Sequence, residues 1–157
     1  RDVERSRGLG DVYKRQILND EGIAEYYVPE GKWTDIITGK VLEGGKWYKH
    51  KCSYFEIPAL AKPNSIIAYG NFERQIEYDY LEGTTFTIYE LEDGKSAVCP
   101  IYDTEANKVF ELTATRHGNK IECEYTDTKA SFKIAVANTD KTVEIAPNFS
   151  GKVIIEL

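Results

Sequence analysis

Turn residues interrupt this chain too often for it to be built of helices. Pro29-Glu30-Gly31, Thr38-Gly39, Gly44-Gly45, Gly70-Asn71, Asp93-Gly94 and His117-Gly118-Asn119 cut it into short segments. Gly and Pro punctuate local structure, and Asp-Gly between alternating apolar residues is a hairpin signal. Strands are expected at 23–28, 33–37, 46–51, 65–69, 84–91, 96–102, 109–115, 120–126, 131–137, 142–145 and 153–157. Residues 84–91 alternate well, with Phe86 and Ile88 on one face and Thr85, Thr87 and Tyr89 on the other. No segment keeps a helical period between caps. The spacing predicts an all-β chain of two antiparallel β-sandwich-type units.

The predicted division is an artefactual or disordered leader at 1–16, a first unit at 17–76 and a second at 77–157, with the boundary zone near 70–83. The first unit has an incomplete strand set and too little apolar surface to bury a good core unaided. The second has enough strands to close a sandwich. Eleven Tyr, six Phe and two Trp supply the aromatics that strands favour.

The formal charge is -6, unevenly spread. Residues 1–16 carry five basic and three acidic side chains, a net of +2, which leaves -8 on the rest. An acidic body argues against a nucleic-acid partner, since phosphate binding needs surplus Lys and Arg. No apolar run approaches the roughly 20 residues of a membrane helix, and no signal peptide is evident. Cys52, Cys99 and Cys123 lie in strand-like runs and are expected as buried, reduced thiols, not a disulfide framework. That tilts the expected location toward the cytoplasm.

The leader lacks apolar periodicity and holds four of the six arginines. Its run from Ser6 to Gln16 also reads, residue for residue, as a translated adapter from transposase-based sequencing libraries. The alternative is a flexible basic leader of the gene itself. On the adapter reading, natural sequence begins near Ile17, in mid-gene. Gly8 and Gly10 form a lone G-x-G with no strand before it, which carries no dinucleotide fingerprint.

The stretch 27–47, YVPEGKWTDIITGKVLEGGKW, resembles the unit that follows the catalytic barrel in family 31 glycoside hydrolases. Ile57-Pro58 and Asn64-Ser65-Ile66-Ile67 extend the resemblance, while Ala59-Leu60-Ala61 departs from the family's bulkier run there. Tyr78-Asp79-Tyr80-Leu81-Glu82-Gly83, followed by Leu91-Glu92-Asp93-Gly94, is similar to the α-xylosidase branch. There the first run opens the distal sandwich, and the second closes its first hairpin. The resemblance implies the carboxyl-terminal part of a retaining α-glycosidase acting on α-linked xylose at non-reducing ends, with an α-glucosidase of the same family as the alternative. It implies two catalytic aspartates on a (β/α)8 barrel upstream, none of which maps onto this chain. It also implies the barrel as intramolecular partner, an oligosaccharide substrate for the whole enzyme, no cofactor or metal, and room for a homo-oligomer.

Other chemistry is weighed residue by residue. Glu77, Asp79 and Glu82, and Glu90, Glu92 and Asp93, form acidic clusters that read as exposed strand faces rather than acid/base pairs or calcium loops. His50 with Cys52, and His117 with Cys123, lack zinc-ligand spacing. Asn148-Phe149-Ser150 fits a glycosylation pattern that is common by chance. Trp33 and Trp47, with Tyr26, Tyr27 and Tyr48 nearby, are the candidates for sugar contact. Their competing role is core packing, where Trp buries a large area. A free-standing carbohydrate-binding sandwich would require both indoles exposed and coplanar.

Overall fold

The computed structural model describes residues 12–14, 22–51, 59–70, 81–103, 105–126, 129–147 and 151–157. The described residues form strands and no helix, as the turn spacing predicts. Two compact units, 1–63 and 64–157, make up the chain.

In the first unit the strands are β1 (Val12–Lys14), β2 (Ile23–Val28), β3 (Lys32–Asp35), β4 (Val41–Glu43), β5 (Lys46–Lys51) and β6 (Ala59–Ala61). A four-stranded sheet runs β1-β6-β3-β4, and β2 and β5 form a separate two-stranded ribbon. All of these pairs are antiparallel. The period of two sorts β2 cleanly: Ala24, Tyr26 and Val28 are buried, while Glu25 and Tyr27 face outward. Among the described residues the core cluster is small: Ala24, Tyr26, Val28, Trp33, Leu42 and Leu60, with Tyr48 packed against them. Tyr26 and Tyr48, opposite each other in the ribbon, stack at 6.1 Å and 21°.

β1 lies inside the leader that the sequence predicts to be without structure. Its backbone pairs with β6 from Val12↔Ala61 to Lys14↔Ala59. Strands of three residues, such as β1, β4 and β6, are too short to show alternation, which is why the sequence pattern misses them.

The second unit contains β7 (Ser65–Tyr69), β8 (Thr84–Tyr89), β9 (Ser96–Tyr102), β10 (Lys108–His117), β11 (Lys120–Tyr125), β12 (Phe132–Val136), β13 (Thr142–Ile145) and β14 (Gly151–Glu156). Two four-stranded sheets, β13-β12-β8-β7 and β14-β11-β10-β9, face each other. Their inward residues build one core that includes Phe86, Ile88, Phe132 and Ile134 from the first sheet. Phe110, Leu112, Ala114, Ile121 and Cys123 come from the second. Phe132 meets Phe86 edge-on at 5.6 Å, Phe110 at 5.1 Å and Tyr125 at 5.3 Å. Such edge-to-face pairs add to the area the rings bury.

The 76/77 boundary falls outside the described residues; by backbone contacts the chain divides at Pro63/Asn64, because β7 pairs with β8 from Ser65↔Tyr89 to Tyr69↔Thr85. One expectation changes: the Asp93-Gly94 turn is not a hairpin. β8 and β9 lie in different sheets, so this turn carries the chain across the sandwich. Glu90, at φ 39°, bends the chain out of β8, and Gly94 donates to the Arg116 carbonyl at 3.0 Å. One pair departs from the antiparallel pattern: β8 and β12 run parallel, Thr84 opposite Phe132.

Candidate functional site

The motif 29–47 explains itself in backbone terms. β2 ends at Pro29-Glu30-Gly31, and the β4–β5 turn is Gly44-Gly45. The two turns interlock. Gly44 N donates to the Gly31 carbonyl and Gly45 N to the Val28 carbonyl, each at 2.7 Å. A Cβ on residue 44 would lie 1.6 Å from the Pro29 oxygen, so only glycine fits. Gly31 sits at φ 114°, a conformation that L side chains rarely adopt. Trp33 closes the clasp: its indole N–H donates to the Pro29 carbonyl at 2.9 Å.

That bond settles the place of the two tryptophans. Trp33 is only 8% exposed and belongs to the core, whereas Trp47 is 62% exposed on β5. Of the two candidates for sugar contact, Trp33 is therefore in the core and Trp47 on the surface. Trp47 instead sits opposite Tyr27, itself 40% exposed, on the outer face of the ribbon. The two rings are 5.7 Å apart and inclined at 59°, an open V. Two residues along the same face, Glu25 and Lys49 form an ion pair of 3.5 Å. Cross-strand position alone would have found the Tyr27–Trp47 pair, had the register been known.

The acidic clusters serve turns. Glu77 and Asp79 lie outside the described residues. Glu82 accepts from the Ser131 hydroxyl and, at 2.9 Å, from the Ser131 amide. These bonds hold its carboxyl below the ordinary value of 4.5. Glu92 and Asn64 exchange two bonds, Glu92 N to Asn64 Oδ1 at 2.7 Å and Asn64 Nδ2 to Glu92 Oε2 at 3.2 Å. Asp93 accepts from Gly118 N at 2.7 Å. Asp103 is held low by bonds from the Asn107 backbone and side chain. A general acid needs its carboxyl raised, the opposite direction to Glu82 and Asp103.

His117 ends β10 opposite Lys120, while Cys123 pairs with Ala114, so the two are separated along the ladder. Burial pushes the Cys123 thiol up to about 12, which makes it inert at neutral pH. Cys99 is partly buried. Cys52 and the Asn148–Ser150 motif lie outside the described residues. Among the described residues no group of His, Cys, Asp and Glu is placed to hold a metal ion.

Comparison with known proteins identifies the family. Residues 79–157 match the family described as "Alpha-xylosidase YicI, C-terminal domain", half of the chain. Residues 12–67 match "Glycosyl hydrolase family 31 C-terminal domain".

The chain belongs to glycosyl hydrolase family 31, as carboxyl-terminal β-domains.

Among curated relatives it is similar to an α-xylosidase of Lactiplantibacillus pentosus, 26% identical over 133 residues that make up 83% of this chain and 17% of that protein. It is also similar to an α-glucosidase of Bacillus thermoamyloliquefaciens, 37% identical over 79 residues, 50% of this chain and 10% of that protein. The chain thus spans 10% to 17% of the length of these family 31 relatives. Its fold is shared with a Flavobacterium johnsoniae family 31 dextranase, TM-score 0.77 at 14% identity, over 94% of this chain and 26% of that one.

Proposed function

We infer that this chain is the non-catalytic carboxyl-terminal part of a retaining α-glycosidase, an α-xylosidase that removes α-linked xylose from non-reducing ends. The observation that carries this reading is the match of 79–157 to an α-xylosidase carboxyl-terminal domain. The work of the chain is to support the (β/α)8 barrel that holds the active site. Retaining hydrolysis needs two carboxyl groups about 5–5.5 Å apart, one nucleophilic and one kept protonated as acid. Hydrogen bonds hold the Glu82 and Asp103 carboxyls low, the opposite of what the acid needs, which supports a structural role. The α-glucosidase relative, 37% identical where it aligns, favours a second reading, an α-glucosidase of the same family.

One experiment separates these readings. The chain is joined to the sequence that precedes it in its gene, and aryl α-xyloside and aryl α-glucoside are offered as substrates. The joined protein should turn over the xyloside faster, and residues 1–157 alone should stay at background. Turnover by 1–157 alone would overturn the non-catalytic role. Preference for the glucoside would move the enzyme to the second reading. No turnover by the joined protein would remove both.

A further inference from the structure

The ribbon of β2 and β5 carries an aromatic feature with no role in the core of its unit. Trp47 and Tyr27 stand on the outward face and lie outside the cluster of Ala24, Tyr26, Val28, Trp33, Leu42 and Leu60. Keeping an indole more than half exposed forgoes the burial that usually places Trp inside. Its position is nevertheless defined, because the antiparallel register sets Trp47 opposite Tyr27 and the rings touch at 5.7 Å.

The size of the patch limits what can cover it. A Trp and a Tyr at these exposures offer on the order of 200 Å² of aromatic surface. A stable protein partner buries about 800 Å² on each side. One or two sugar rings match the smaller area. The charge beside the rings limits the ligand further. Glu25 and Lys49 neutralise each other at 3.5 Å, and both remain mostly exposed. With Lys51 exposed next along the same face, they present acceptor and donor atoms beside the rings. That combination suits an uncharged polyol, whose C–H face packs on a ring while its hydroxyls bond at the edge.

We propose that Trp47 and Tyr27 form a surface stacking site for one or two pyranose rings of a neutral α-linked oligosaccharide, with Glu25 and Lys49 bonding its hydroxyls. Such a site would hold a sugar chain on the outer face of the ribbon. The α-linked class rests on the family reading above; the stacking geometry does not.

The two tryptophans make the test internally controlled. Isomaltotriose and an α-xylosylated gluco-oligosaccharide are titrated into the 157-residue chain, and the two indole N–H resonances are followed by NMR. The Trp47 signal should move on saturation in the millimolar range, while that of Trp33, bonded to Pro29, stays in place. Trp47→Ala and Tyr27→Ala should each weaken binding about tenfold, and Trp47→Phe should keep most of it. An unmoved Trp33 resonance in each variant shows that the fold is intact. No shift at either indole, or a shift unaltered by Trp47→Ala, would overturn the site. Equal binding of a β-linked trisaccharide would overturn its α-linked class. Hydrolysis is not read, so failure here leaves the enzymatic reading to its own assay.

Discussion

The two units are held together by different means. The second relies on volume: Phe86, Phe110 and Phe132, each essentially inaccessible to solvent, lock two sheets face to face. Among its described residues the first has a cluster of only six buried apolar side chains, and it relies on backbone fit. Its interlocked turns place Gly44 against Pro29 and tie Trp33 to the same carbonyl. Where a core is large, almost any well-patterned apolar set of the right volume will fold. Where it is small, particular residues at turns carry the specificity, and those residues form the most recognisable motif in the sequence.

Substitutions can break this comparison. Phe132→Ala removes the ring that three others meet, and it should cost about 3–5 kcal/mol. Chemical denaturation would read it, and a loss under about 1 kcal/mol would mean that the sandwich does not depend on its aromatic centre. Gly44→Ala forces a methyl against the Pro29 oxygen and should cost about 3 kcal/mol. Its effect should stay in the first unit: the Trp33 indole N–H resonance should shift, while the Cys123 and Phe132 signals hold. Equal change in both units would erase the distinction drawn above. Trp33→Phe keeps most of the buried ring but leaves the Pro29 carbonyl without its donor, an expected loss of about 1–2 kcal/mol.

The smallest effect concerns pH. Bonds from Ser131 lower the Glu82 carboxyl below 4.5 in the folded chain. Its contribution is therefore present above pH 4.5 and fades as pH falls through the lower, folded value. Glu82→Gln should lower stability slightly at neutral pH and flatten the stability profile in acid. A profile with the same slope below pH 4.5 in both proteins would show that the Glu82–Ser131 contact adds nothing in solution.

Much of the fold was legible in the residues. The strands at 65–69, 96–102 and 142–145 have the bounds expected, because turn residues flank them closely. The class, all-β in two units, follows from the same signals. The boundary was harder, since it depends on which strand pairs with β7, and pairing is a long-range property. The Asp93-Gly94 turn was misread for a related reason: Asp-Gly specifies a tight turn but not whether the next strand stays in the same sheet. The site was legible only in part. Trp47 was among the candidates, but so was Trp33, whose indole folds back on Pro29 through a bond that spacing alone does not reveal. Tyr27 gained its place only when the register of β2 and β5 was known.

The parallel pairing of β8 with β12 has a consequence in time. Thr84 meets Phe132 only after β9, β10 and β11 have been laid down in the opposite sheet. Closing so long a loop costs entropy before any contact repays it, and non-local pairings of this kind slow folding. The β10–β11 hairpin, closed by Gly118 and Asn119, is local and can form early. A growing chain would therefore hold β8 with one of its two neighbours missing until synthesis had passed residue 136, with its open edge exposed to association for that interval.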